Sequence, residues 1–149
     1  MRQLVLWLIS AAVVGAAFAQ ESKLGERLLL LWDLYDVIER NCSAEIIAEA
    51  GDYDAPEDER CKMACALRKF HLLNDEGFSR RDMDRLVSFV FEDDPKLKSV
   101  SKDINLTCEK ELAALKLTDE CEIAWNVHQC LQKNWKQSGS KYWKPKWMK

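Results

Sequence analysis

Apolar residues return every three or four positions along most of this chain, with charged residues between them, which is the pattern of helices that bury one face. Leu24, Leu28, Leu31, Trp32, Tyr35 and Ile38 form the first such stripe, interleaved with Glu26, Arg27, Asp33, Asp36 and Glu39. A shorter helical stretch is expected from Ser43 to Ala50, broken by Gly51-Asp52-Tyr53-Asp54. Asp54 reads as the N-cap of a third helix, with Pro56 and the acids Glu57, Asp58 and Glu59 suited to its first turn. That helix should run through Leu72-Leu73 and stop at Asn74-Asp75-Glu76-Gly77, where Gly77 can take the left-handed conformation. Ser79-Arg80-Arg81-Asp82 is a capping-box variant opening a fourth helix with Met83, Leu86, Val87 and Val90 inward, ended by Glu92-Asp93-Asp94-Pro95. A fifth helix is expected over roughly 101–117, and Thr118-Asp119-Glu120 begins a sixth that carries Ile123, Val127 and Leu131 toward Trp135. Strand alternation is absent, so the fold class is all-α: a compact bundle of about six short helices with no repeats.

The first residues differ in kind. Arg2 precedes an apolar run from Leu4 to Ala19 that ends in Ala17-Phe18-Ala19, the form of a secretory signal peptide cleaved after Ala19. The run is interrupted by Ser10 and Gly15, and no stop-transfer charge follows, so stable membrane insertion is not expected. The organisation implied is a signal peptide at 1–19, one helical domain at 20–135 and a distinct tail at 136–149.

Charge separates that tail from the body. From Glu21 to Cys130 there are 25 acids against 15 bases, a net of −10, whereas Leu131 to Lys149 holds six lysines and no acid. Trp135, Trp143 and Trp147 stand among Lys136, Lys141, Lys144 and Lys146, on either side of the Gln137-Ser138-Gly139-Ser140 hinge. Aromatic platforms beside cations suit an anionic polymer, a membrane surface or a host protein; the alternative is a tail that folds back on the acidic body.

Six cysteines, at 42, 61, 65, 108, 121 and 130, follow the leader, an even set that implies an oxidising compartment and three disulfides. Cys61 and Cys65 share one helical face and should staple different neighbours, while Cys121 and Cys130 fall on opposite faces of theirs. Spacing alone leaves most of the 15 connectivities open. The absence of a Cys-x-x-Cys pair and the presence of only His71 and His128 argue against zinc. Two glycosylation sequons, Asn41-Cys42-Ser43 and Asn105-Leu106-Thr107, each lie against a cysteine. No nucleophile elbow, metal-binding helix motif or phosphate-cradling glycine loop occurs, so neither catalysis nor a cofactor is expected.

Cys61-Lys62-Met63-Ala64-Cys65, followed by an amphipathic stretch and Leu73-Asn74-Asp75-Glu76-Gly77, resembles the second and third cysteines of the insect odorant-binding proteins. Asp119-Glu120-Cys121-Glu122-Ile123-Ala124, with eight residues before Cys130, is similar to that family's fifth-to-sixth element. The order C-x18-C-x3-C-x42-C-x12-C-x8-C covers nearly the whole chain after the leader. The resemblance implies bridges Cys42–Cys65, Cys61–Cys121 and Cys108–Cys130. The short first gap and the altered end are similar to the salivary odorant-binding-like proteins of blood-feeding flies.

The function this implies is a secreted carrier or scavenger of a small hydrophobic or amphipathic ligand, such as an odorant-like molecule, a lipid mediator or a biogenic amine. Leu28, Leu31, Trp32, Tyr35, Leu67, Leu86, Val87, Phe89, Val90, Leu112, Trp125 and Val127 are the expected cavity lining. An amine would need a countercharge in an apolar pocket, for which Asp119 and Glu122 beside Trp125 are the candidates. His71 and His128 are candidate pH sensors. The alternative is a bundle filled with side chains that acts through Lys136, Lys141, Trp143, Lys144, Lys146 and Trp147 of the tail.

Overall fold

The computed structural model describes the backbone of residues 2–50 and 59–139, and side chains from residue 23 onward apart from Trp32 and Ala50. Its helices are α1 (Arg2–Ala50), α2 (Glu59–Lys69), α3 (Arg80–Val90), α4 (Pro95–Leu115) and α5 (Glu120–Gln137), with two short strands, β1 (Leu73–Asn74) and β2 (Gly77–Phe78), before α3. The all-α fold read from the periodicity is the one observed. Among the described residues no helix is long and apolar enough to cross a membrane.

The two helices expected before residue 50 are one. Ile38 and Cys42 are both buried on the face of α1 that meets α2, so the stripe continues through Asn41-Cys42-Ser43 without a break. The capping residues expected at 54–58 lie outside the described residues. The following helix stops earlier than its periodicity suggests, at Lys69. His71 turns into the left-handed region at φ 60°, and Leu72 N donates to Leu67 O at 2.8 Å, which closes the helix end. Leu72 and Leu73 are then buried from an extended segment. Leu73 pairs with Phe78 and Asn74 with Gly77, in a hairpin whose turn is closed by Glu76 N donating to Asn74 Oδ1 at 2.9 Å. Gly77, expected to end a helix, instead uses its φ of 106° in this hairpin.

The other helices begin on local caps. Ser79 accepts from Asp82 N at the start of α3 and donates to the Asp82 carboxylate at 2.6 Å. Asp94 accepts from Leu97 N at 3.0 Å, and Pro95 occupies the first turn of α4. The Asp94-Pro95 pair expected to end one helix therefore starts the next, which begins before residue 101 and ends at Lys116, left-handed at φ 51°. Asp119 caps α5, accepting from Glu122 N at 2.9 Å.

The contacts between helices close a ring. Helix α1 packs on α2, α2 on α5, α5 on α4, α4 on α3, and α3 returns to α1 across the slimmest of the five seams. Disulfides Cys42–Cys65, Cys61–Cys121 and Cys108–Cys130 cross the α1–α2, α2–α5 and α4–α5 seams, joining residues 23, 60 and 22 apart in sequence. Loops of these lengths are worth about 3–4 kcal/mol each in unfolded-state entropy.

Candidate ligand-binding site

Buried side chains gather at the seams of the ring rather than in one central mass. At α1–α3, Leu24, Val87, Val90 and Phe91 are buried, with Leu31, Leu86, Leu97 and Trp135 packed on them. At α1–α2 the buried residues are Ile38, Cys42 and Ala66, with Tyr35, Cys65 and Phe70 around them. Ala64, Leu73 and Ala124 join α2, β1 and α5, and Ile104, Cys108 and Cys130 join α4 to α5. A domain of this size usually carries one contiguous core. Here, among the described residues, the buried side chains fall into four clusters, two of them joined through Trp135, and half-buried apolar side chains fringe each.

Ion pairs reinforce the same seams. Arg60 pairs with Glu122 and Arg68 with Glu120, so two α2–α5 bridges flank Cys61–Cys121. Lys69 reaches Glu45 at 2.6 Å across α1–α2, and Lys133 reaches Glu111 at 3.3 Å across α4–α5. The α3–α4 seam has no disulfide and is held by a polar network. Arg80 Nε donates to Glu109 at 2.7 Å, Arg80 Nη1 to Asp84 at 2.8 Å, and Asn105 Nδ2 to Asp84 at 2.9 Å.

Helix α3 carries no cysteine and is the wall held without covalent links. At its far side, Arg27 of α1, 17% exposed, bridges Glu92 at 2.9 Å and Asp93 at 3.0 Å, just past the helix end. The same guanidinium lies 5.9 Å from the centroid of the Phe89 ring. Phe89 is 47% exposed and Leu28 38% exposed on the two elements that form this seam.

The residues expected to line a cavity therefore divide. Leu31, Leu86, Val87 and Val90 come together in the α1–α3 cluster. Tyr35 joins the α1–α2 cluster and Leu67 the α2–α5 cluster. Val127 is 1% exposed, while Leu112 and Trp125 are half-buried. Leu28 and Phe89 sit at the outer lip, and the Trp32 side chain lies outside the described residues. Leu24, Phe91, Leu97 and Trp135, none of them among the expected lining residues, complete the α1–α3 cluster. Trp135 spans two clusters, its ring 6.0 Å from Phe91. The stripe running through Val127 and Leu131 pointed toward it, and Phe91 continues the Met83–Val87 spacing by one more turn, just before the acids 92–94.

The two carboxylates considered for an amine are both engaged elsewhere. Asp119 is the exposed cap of α5, and Glu122 pairs with Arg60 at the surface. Among the described residues every buried side-chain polar atom has a hydrogen-bond partner. The two buried polar residues, Ser101 and Asn105, donate to Leu97 O and to Asp84. Burial raises the Tyr35 phenol above its ordinary value, with Glu39 adding to it and Lys62 opposing, so it stays neutral. Burial pushes the His128 imidazole below its ordinary value; its ring stands 5.8 Å from Trp125. His71 is exposed in the turn after α2.

An open hollow of about 570 Å3 runs along α5, lined among the described residues by Gln129, Gln132, Lys133, Lys136 and Gln137. Lys136 thus belongs to the last turn of α5, whereas Lys141, Trp143, Lys144, Lys146 and Trp147 lie outside the described residues.

The PBP/GOBP family profile matches residues 38–134, from the buried end of α1 to the last turns of α5, and takes in all six cysteines. No curated protein and no solved structure matches the chain. Members of the family are binding proteins rather than enzymes, secreted, and bind small hydrophobic ligands. The chain belongs to the PBP/GOBP family, within the insect odorant-binding protein superfamily.

Proposed function

We propose that this protein is a secreted carrier that holds a small, neutral, hydrophobic molecule inside the ring of five helices. One observation supports this above the rest: the five helices pack in a ring whose apolar side chains gather at the seams, with half-buried apolar residues fringing each cluster. Affinity then comes from apolar area removed from water, at roughly 25 cal/mol per Å2. The satisfied polar groups and engaged carboxylates favour an odorant-like molecule or lipid mediator over a biogenic amine. Residues 1–19 act as the signal peptide, and the three disulfides suit the oxidising fluid in which such a carrier works.

Helix α3 is the moving wall. Its seams with α1 and α4 are held by charge and packing alone, so it can swing while the stapled α1–α2–α5–α4 frame stays in place. Leu31, Leu86, Val87 and Val90 form the inner contact surface, and Leu28 and Phe89 the lip. A fluorescent hydrophobic probe should bind the secreted protein saturably and be displaced by apolar ligands. Failure of the folded protein to bind any such probe would remove the carrier.

The lysine-lined hollow favours a second activity on the outer face. Lys133 and Lys136 lead into a C-terminal segment that adds four more lysines and two tryptophans, a composition suited to an anionic polymer or surface. Salt-sensitive retention on heparin, lost on deletion of residues 140–149, would support it.

A further inference from the structure

We propose that Asn41, and not Asn105, is the N-glycosylation site of this protein, and that its glycan covers an apolar stripe on α1. This rests on the secretory reading above, because only a chain entering the secretory pathway meets the glycosylating enzyme.

Both sequons are available to the enzyme, which modifies the extended chain before helices and disulfides form; the folded state separates them. Asn105 is 2% exposed, and its Nδ2, the atom that would carry the sugar, donates to Asp84 Oδ1 at 2.9 Å inside the α3–α4 seam. A chain glycosylated there cannot close that seam. Asn41 is exposed on α1, one residue before the buried Cys42. The cysteine turns inward to Cys65 while the asparagine faces outward, so folding proceeds with a glycan in place.

The same face supplies a reason for the glycan. Leu30, Leu34 and Val37 are 59%, 45% and 48% exposed, and with Asn41 they follow the spacing of one helical stripe. An apolar stripe this exposed is an association hazard. Side chains lean toward the N-terminus of their helix, so a group on Asn41 lies back over Val37 and Leu34, one and two turns before it. From Asn41 to Leu30 is about 16 Å along the axis, within reach of a branched oligosaccharide.

The full chain, expressed in secreting insect cells, tests both parts. Enzymatic removal of N-glycans should lower the mass of the medium protein by one glycan. Ser43→Ala, which breaks the first sequon, should abolish that shift, and Thr107→Val, an exposed change that breaks the second, should leave it intact. No shift at all, or a shift kept by Ser43→Ala and lost by Thr107→Val, overturns the assignment. Absence of the protein from the medium refutes the secretory reading instead. The same series behind a proven leader in place of residues 1–19 then decides the site. For the covering role, Ser43→Ala should raise the emission of a hydrophobic dye about twofold or more and promote self-association, and adding Leu34→Glu should reverse both. Unchanged emission overturns the covering role. So does an equal rise when residues 140–149 are deleted from the glycosylated protein, which would make that segment the occupant.

Discussion

Arg27 Nη2 on α1 donates to the Asp93 carboxylate beyond α3 at 3.0 Å, and to Glu92 at 2.9 Å. This fork ties the first helix to the cysteine-free wall of the ring, at the seam where Leu28 and Phe89 are left exposed. In the proposed carrier this fork is the latch on α3.

Arg27→Ala should therefore act on kinetics more than on stability. Arg27 is largely buried but its carboxylate partners face solvent, and ion pairs open to water contribute about 0–1 kcal/mol each, so equilibrium unfolding should shift by about 1–2 kcal/mol. Stopped-flow release of a bound hydrophobic probe should accelerate severalfold. Unchanged release with the protein intact would show that α3 is not the gate.

The disulfides should rank by the chain they close. Replacing Cys61 and Cys121 together by alanine removes a link spanning 60 residues and should cost about 4 kcal/mol, against about 3 kcal/mol for either shorter link. Denaturant midpoints of the three double variants give the order. Equal losses would mean that native packing, not chain entropy, sets their worth.

Trp135→Ala should cost about 3 kcal/mol, because a large aromatic is lost from two clusters at once. It should also weaken probe binding, since Phe91 loses the ring standing 6.0 Å away. A loss below about 1 kcal/mol in urea unfolding would contradict the bridging role.

His128 should make the fold acid-sensitive. Burial holds its folded value below the ordinary 6.5, so its neutral form contributes stability above the unfolded value, and that contribution is lost as pH falls through the folded one. The melting temperature should drop more between pH 7 and pH 5 for the native protein than for His128→Gln. Parallel curves would remove this histidine from the response.

The helices were legible because each buries a regular stripe, and the cysteine-free α3 stands in the sequence as plainly as the cysteines do. The boundaries were harder. The stripe ending at Ile38 and the stretch from Ser43 read as two helices until Cys42 is seen packed with Ile38 and Ala66, which keeps α1 continuous. Asp94-Pro95 serves equally as a stop and as a start, and only the hydrogen bond to Leu97 N decides. Strands of two residues are too short for alternation to register. At the site, periodicity assembled Leu31, Leu86, Val87 and Val90. It had no means of showing that Glu122 is held by Arg60, or Arg27 by Asp93, pairs separated by more than sixty residues.

The most direct test of the carrier is where a bound ligand sits. With methyl-labelled leucine and valine, the protein saturated with an apolar fluorescent probe should show intermolecular contacts from the probe to Leu31, Leu86, Val87 and Val90. Contacts confined to the outer stripe of Leu30, Leu34 and Val37, with the inner methyls undisturbed, would contradict an internal site.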